Sequence, residues 1–428
     1  MKILVTIFFL IGYSVVNSCC QINFHANSNL IADVNYLFQR IERIHPNMNY
    51  SLSKADFEKE FRGLKEKINN KMNIFDYWKL VNPLVVKLND GHTNLIFPSY
   101  QLKGVGSSLF PFSVNINPKD SIVAIEEDYT PSRNSIPLNS RVLSINGMPI
   151  NKIIDDMLCQ TSGETISFKL SKLKYFFTPF LYALYRDMEF EVEYFIKGEK
   201  HKLLVQGISY EDRYQKKNAN PKPYTLFIDE KNSIAIIDFR QFLDLKKFDV
   251  FLDSAFTLIH KKNINNLIID VRLNGGGSSS LGDAMFQYIS KTPFHQYGYI
   301  INKKEGKLKI RKTERLIKLR RNKLRFKGDV YVLQSNFTFS SASDFTWAFK
   351  YFKMGKIVGE ESGGLSICYG ETINSTLPYS KLEFGVSSKK FYNYGASENM
   401  ITGTIPDYYT PSSEALDFAI QLIKAKNK

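Results

Sequence analysis

Asn336-Phe337-Thr338-Phe339-Ser340-Ser341-Ala342-Ser343-Asp344-Phe345 is the stretch on which the reading of this chain turns. Ahead of it, Val330, Tyr331, Val332 and Leu333 make an apolar run of strand character. Behind it, Phe345, Ala348, Phe349 and Phe352 recur at helical spacing. A strand, a tight polar turn and a helix lift a serine to the helix N-terminus, where free backbone N–H groups and the helix dipole can stabilise an anion. Two roles suit Ser340 there. It can cap the helix, as Ser and Thr often do, or it can be a nucleophile. The segment alone leaves both open.

A second stretch, Ile269-Asp270-Val271-Arg272-Leu273-Asn274-Gly275-Gly276-Gly277, ends a buried-strand run in three glycines. Glycines at a strand C-terminus let backbone N–H groups face a cleft without side-chain obstruction, which suits an oxyanion hole. A plain glycine-rich turn explains the same residues. A phosphate loop does not, because no Gly-Lys-Ser/Thr follows and the GxGxxG spacing is missing. Of the six histidines, His92 alone follows an Asp-Gly turn, Asp90-Gly91, that closes a long apolar helical segment. Histidine is the usual general base because its pKa lies near working pH. His45 precedes a proline at a helix end, His260 ends a helix, His201 sits in a solvated Lys-rich run, and His295 lies in a loop.

Helical periodicity predicts three N-terminal helices: one through Leu30, Val34, Leu37, Phe38, Ile41 and Ile44, one over Ala55–Asn70 capped by Ser53, and one over Ile74–Leu88. Between Phe110 and Gly207 short alternating runs read as strands, with an Asn146-Gly147 hairpin turn and a helix at Ile153–Cys159. Ser209–Pro223 is polar and reads as a linker. Beyond Tyr224, strands (Ser233–Phe239, Asn266–Arg272) alternate with helices (Lys247–Lys261), the pattern of an α/β or mixed unit.

Taken together, Leu88-Asn89-Asp90-Gly91-His92-Thr93, the Ile269–Gly277 run, Thr338–Phe345, Val358-Gly359-Glu360-Glu361-Ser362-Gly363-Gly364 and Ile405-Pro406-Asp407 resemble, in order and spacing, the tail-specific or C-terminal processing serine peptidases. The segment around Val142-Leu143-Ser144-Ile145-Asn146-Gly147 resembles the PDZ-like module of that family. The resemblance implies an α/β and α+β multidomain protein. Residues 1–19 would be a signal peptide, 28–98 a helical region carrying His92, 100–208 a PDZ-like β-rich module, 209–223 a linker, and 224–428 a crotonase/ClpP-like αβ catalytic core. It implies a serine-type endopeptidase with Ser340 as nucleophile, no cofactor or metal, and protein or peptide substrates. One branch of the family pairs its serine with a lysine, but that position here is Leu365, and no lysine appears until Lys381. The tricorn-core-like branch takes its base from a Gly-His-Thr motif, which His92 matches. In that branch a serine and a glutamate assist. Position 91 is glycine, so the serine is not evident, and Glu398 lies near the place of the glutamate. The oxyanion would be held by the N–H of Gly276 or Gly275 and that of Ser341. Ser341 is the rival nucleophile; the spacing to Gly359-Glu360 favours Ser340. The alternative is a non-catalytic binder of peptides or hydrophobic ligands on the same fold.

Composition sets the bounds. At 428 residues the chain exceeds one ordinary domain, and 43% hydrophobic and 14% aromatic content suits folded cores. Lys2 and the apolar run Ile3–Val16 read as an export signal too short to span a bilayer. Val16-Asn17-Ser18-Cys19 leaves two outcomes open: lipidation of Cys19, which would tether the protein to a bacterial envelope membrane, or simple cleavage. Cys159 and Cys368 are the only cysteines in the body, with no CxxC or Cys/His cluster for zinc. The net charge of +15 is concentrated in Lys303–Lys327, where 13 basic residues face 2 acidic ones. This segment reads as a solvated insertion, partly β and partly helical. Nothing in the chain carries a nucleic-acid motif.

Overall fold

The structure, a computed structural model, describes residues 26–131, 135–214, 222–304 and 306–426. The export segment, with Cys19, Cys20 and His25, lies outside the described residues. The chain begins with α1 (Asn27–Ile44), α2 (Lys54–Lys67) and α3 (Ile74–Val86). The residues that recur at helical spacing in α1 are its buried stripe. The helix stops because His45 precedes Pro46 and turns extended, its N–H still reaching the Ile41 carbonyl at 2.8 Å. Ser53 caps α2 by accepting from the Asp56 N–H, and Asn73 with Asp76 forms a capping box on α3. The chain then passes through Asp90-Gly91-His92 into β1 (Asn94–Leu95).

A β-rich unit follows: β2 (Phe112–Ile116), β3 (Val123–Asp128), β4 (Arg141–Ile145), β5 (Met148–Pro149), α4 (Ile150–Leu158), α5 (Ile166–Tyr185), β6 (Glu189–Ile196) and β7 (Glu199–Gln206). Its antiparallel sheet runs β2-β3-β4-β6-β7, with β5 on β4. Asn146 (φ +50°) and Gly147 (φ +73°) make the predicted tight hairpin turn. The 20-residue α5 does not announce itself in sequence. Its lysines and serines are confined to the first half, Phe, Leu and Tyr fill the second, and Pro179 sits inside it, so no continuous polar face or uninterrupted period marks it. Thr165 caps it, accepting from the Phe168 N–H at 3.2 Å. Arg186 ends it at φ +60° and binds Asp76 and Asn73 at the start of α3. One hydrophobic core joins α1–α3, this unit and the hairpin residues Leu377, Leu382, Phe384 and Val386.

The segment read as a linker opens with a short helix, α6 (Tyr210–Tyr214), and residues 215–221 lie outside the described residues. Ser209 Oγ accepts from the Asp212 N–H, and the buried Arg213 guanidinium lies 4.0 Å over the Tyr129 ring. Polar composition concealed a residue anchored by stacking.

The remaining elements are β8 (Tyr224–Asp229), β9 (Ile234–Phe239), α7 (Leu245–Lys261), β10 (Asn266–Asp270), α8 (Ser280–Ile289), β11 (Tyr297–Lys304), β12 (Lys307–Lys312), β13 (Asp329–Gln334), α9 (Ser341–Tyr351), β14 (Lys356–Gly359), β15 (Ile367–Thr376), β16 (Glu383–Asn393), β17 (Tyr408–Tyr409) and α10 (Ala415–Lys426). The central sheet has the order β17-β14-β13-β10-β9-β8, parallel except for β8 on β9. Buried on both faces, its strands read as continuous apolar runs. Leu267 and Ile269 pack with Phe residues of α7, α8 and α9, while Ile268 packs with Ala415, Ala419 and Ile423 of α10. The third sheet runs β1-β16-β11-β12, with β15 on β16. It brings β1, and with it His92, against the αβ core. The basic segment forms the β11–β12 strands but no helix: Ile317, Leu319 and Leu324 pack in extended backbone on the core, leaving the cations outside. Cys159 and Cys368 are free thiols, one exposed and one buried.

Candidate active site

Parallel strands end on one side of a sheet, and the turns beyond them collect there. Beyond β10 lies the Asn274–Gly277 turn; beyond β13 lies Ser335–Ser340. The two are laced together. Thr338 Oγ1 donates to the Val271 carbonyl (2.9 Å), Ser335 Oγ to the Arg272 carbonyl (2.6 Å), and the Phe339 N–H to the Asn274 carbonyl (3.1 Å). Gly363 and Gly364 donate their N–H groups to the Thr338 carbonyl. This lattice holds Ser340 at φ +54°, ψ −133°, immediately before α9. A non-glycine residue there stores strain of about 1–3 kcal/mol, which the surrounding bonds maintain.

His92 Nε2 lies 3.0 Å from Ser340 Oγ, across 248 residues of sequence. The imidazole ends an aromatic stack: Phe339 stacks on it at 4.6 Å, and Phe168 of α5 stacks on Phe339 at 4.1 Å. Its side chain is 16% exposed, open enough to meet a substrate. Burial pulls the His92 pKa below its ordinary value, opposed by the Asp90 charge and aided by Lys172. The ring is therefore neutral, and basic, at neutral pH.

Behind His92 is a buried network that the sequence reading missed. Asp90 Oδ1 accepts the His92 N–H at 2.9 Å and lies 3.9 Å from Nδ1. Asp90 Oδ2 meets His45 Nε2 at 3.2 Å and accepts from Ser387 Oγ at 2.6 Å. Burial would raise the Asp90 carboxyl, but the hydrogen bond and charge of His45, the charge of His92 and the Ser387 hydroxyl hold it well below the usual carboxylate range. Sequence inspection took His45 for a helix terminator; only the third sheet brings it against Asp90. Asp90 itself carried a signal, an aspartate two residues before the histidine, spaced for an i→i+2 side-chain bond to the backbone. Glu164, ahead of α5, accepts the Gly91 N–H at 3.1 Å. Burial and the Asp90 charge push its carboxyl up to about 7, against the Gly91 N–H and Lys172. Burial also pulls Lys172 down to about 8; its ammonium donates to the Ser162 carbonyl at 2.7 Å. Asp90, His92 and Glu164 offer one donor atom each within 4.8 Å of one another, the group among the described residues with metal-ligand spacing. Asp90 already spends both oxygens on hydrogen bonds.

Glu398 and Gly276 stand otherwise than the sequence reading expected, and the rival serine keeps the lesser role it was given. Glu398 does not join the site: its carboxylate is held by Lys390 at 3.0 Å and by the Tyr392 hydroxyl, and its side chain is 60% exposed. The two partners stand on β16, the strand that pairs with β1, but farther along it than Phe384 and Gly385, where β1 is paired. Gly276 packs against the nucleophile, but its N–H is taken by Asn274 Oδ1 at 2.8 Å. Among the described residues no such bond holds the Gly275 N–H, on the exposed part of the turn. The rival serine, Ser341, is buried and its Oγ donates to the Gly277 carbonyl at 2.6 Å. That bond ties α9 to the glycine turn and leaves the Ser341 N–H among the unbonded donors of the helix start.

Residues 233–418 match the profile of peptidase family S41. No curated protein sequence matches the chain significantly. A crystal structure of mature CPAF aligns over 94% of this chain and 99% of that one, at 12% identity and a TM-score of 0.66. Mature CPAF complexed with lactacystin aligns over the same shares at 12% identity and 0.67. A structure from Parabacteroides merdae aligns over 94% and 98% at 15% identity and 0.51. At these identities the likeness is one of fold. The profile match covers less than half of the chain and marks residues 233–418 as a peptidase family S41 domain, which supports a serine-type peptidase.

Proposed function

We propose that the chain is an exported endopeptidase of the serine–histidine branch, cleaving unstructured or C-terminal segments of proteins with Ser340 as nucleophile and His92 as general base. The observation that carries this is the 3.0 Å approach of His92 Nε2 to Ser340 Oγ, at a strained turn opening a helix. His92 takes the Ser340 proton as Oγ attacks the peptide carbonyl. The oxyanion forms at the start of α9, where the Ser341 N–H and the helix dipole favour negative charge. Gly275, whose N–H is not bonded among the described residues, supplies the second donor. His92 then protonates the leaving amine, and water, deprotonated by the same ring, hydrolyses the acyl-enzyme. Each oxyanion donor is worth on the order of 100- to 1,000-fold in rate.

The β-rich unit supports substrate capture. Its sheet ends on β2 and β7, and an added peptide strand at an open edge would be held by main-chain bonds. Among the described residues no helix is long and apolar enough to cross a membrane. The apolar Ile3–Val16 segment supports export, with Cys19 as tether where a lipid is attached.

A fluorophosphonate probe tests the chemistry. Wild type gains one adduct mass; Ser340→Ala gains none, and His92→Ala reacts at least about tenfold more slowly. Folded wild type that stays unlabelled would refute the assignment.

A further inference from the structure

We propose that Glu164, and not Glu398, is the acid that orients His92, a positioning role that rests on the Ser340–His92 reading above. For Nε2 to accept the Ser340 proton, the neutral ring must carry its hydrogen on Nδ1. That Nδ1 is buried and makes no well-aligned hydrogen bond, although the Tyr369 main chain also bears on the ring. Glu164 Oε2 is likewise buried without a partner. An unmet buried donor or acceptor costs roughly 1–3 kcal/mol. Both residues belong to one cluster in which each offers a ligand atom within 4.8 Å of the others. Separations within that bound suit a single bridging water, or a small ring movement of the kind that tightens catalytic hydrogen bonds when substrate binds. Asp90, the other carboxylate in the cluster, stands 3.9 Å from Nδ1 through Oδ1, but that oxygen is turned to the His92 backbone N–H, and Oδ2 serves His45 and Ser387.

Gly91 gives an independent reason. A Cβ at position 91 would stand 2.9 Å from Glu164 Oε2, 2.7 Å from Phe339 Cζ and 3.0 Å from Phe168 Cε1. The space where a side chain at 91 would assist the histidine is filled by the Glu164 carboxylate. The other oxygen, Oε1, holds the Gly91 N–H at 3.1 Å. One carboxylate therefore both replaces a residue-91 side chain and fixes the peptide that carries His92. Its delivery is rigid. Glu164 precedes Thr165, the cap of α5, and the first turns of that helix bear on the nucleophile turn. Phe168 stacks on Phe339, and Ser171 Oγ approaches the Asn336 carbonyl at 3.2 Å. The charged and titratable groups facing Glu164 are Asp90 and His92 from the loop before β1, Lys169 and Lys172 from α5, and Cys368 from β15. The two lysines balance the two carboxylates, so an imidazolium formed at His92 meets an acid whose charge is partly offset.

Glu164→Gln separates this role from packing. The amide keeps the size and can still accept the Gly91 N–H, but it no longer offers an ionised acceptor to Nδ1–H. The expected result is a fall in kcat of at least about tenfold, below the roughly 10⁴-fold loss when a directly bonded triad acid is replaced. KM should stay within about twofold, and the acid limb of the pH–rate profile should move down because the ionisation near 7 is gone. In Glu164→Ala, added acetate should restore part of the lost rate. Glu398→Gln should keep wild-type kcat. Wild-type kcat and an unmoved acid limb in folded Glu164→Gln would overturn the proposal, as would loss of activity in Glu398→Gln or no acetate rescue of Glu164→Ala. Absent fluorophosphonate labelling of wild type would instead overturn the Ser340–His92 assignment itself.

Discussion

A carboxylate kept beside a catalytic base at the expense of the fold should reveal itself in stability. Glu164 has its carboxyl raised from 4.5 to about 7, chiefly by burial and then by the Asp90 charge. A folded state that holds its proton more tightly than the unfolded chain loses stability as pH rises through the window between the two values. The rise is about two and a half units, and at 1.36 kcal/mol per unit the wild-type chain forfeits roughly 3 kcal/mol by pH 8. Glutamine cannot ionise and escapes this loss. Glu164→Gln is therefore expected to match wild type near pH 4.5 and to exceed it progressively up to pH 8. For 428 residues the unfolding entropy is about 0.9 kcal/mol per kelvin, so 3 kcal/mol corresponds to a Tm gain of about 3–4 °C. Thermal melts followed by circular dichroism at pH 4.5, 6 and 8 measure it. Asp344, another buried acid pushed up to about 7, titrates equally in both proteins and cancels. A Tm difference independent of pH, or a variant that loses ground as pH rises, would refute the reasoning. With the expected loss of kcat, the variant would be the more stable and less active enzyme, the usual trade at a strained site.

Two other substitutions probe the scaffold. Asp90→Ala leaves His45 and Ser387 facing an empty buried space and frees the His92 backbone N–H; a loss of about 3–5 kcal/mol is expected from chemical denaturation, and a loss under about 1 kcal/mol would show the network to be dispensable. Gly276→Ala would place a Cβ 2.6 Å from Ser340 Cβ at φ +103°. Fluorophosphonate labelling should slow by at least about 100-fold while the melting profile stays cooperative, and unchanged labelling would mean that the glycine turn does not position the nucleophile.

How far the site was legible varied with the distance over which each residue acts. Ser340 could be read from a strand, a turn and a helix within about twenty residues, because local periodicity and turn chemistry set that geometry. His92 stood out locally, after the Asp90-Gly91 turn, but its pairing with Ser340 could be read only with the family resemblance, since the two lie 248 residues apart. Glu398 was placed by proximity to the Gly403–Asp407 motif, and the structure puts it on Lys390 and Tyr392 instead. Glu164 had no local mark at all. It stands beside α5, a helix hidden by its lack of a continuous polar face and by Pro179, and nothing in its neighbours announces a buried acid.

By itself the sequence determined the αβ core, its glycine turn, the serine lifted before α9, the N-terminal helices and their caps, and the absence of a lysine at Leu365. These depend on side-chain period, backbone freedom and short-range hydrogen bonds. The tertiary structure alone decided which acid faces His92, which glycine N–H is already bonded, and that His45 and Ser387 stand behind Asp90. Those outcomes depend on how the third sheet and α5 close on the core. Desolvation there sets which polar groups are satisfied and which remain available for chemistry, and that balance belongs to the packed whole and to no single segment.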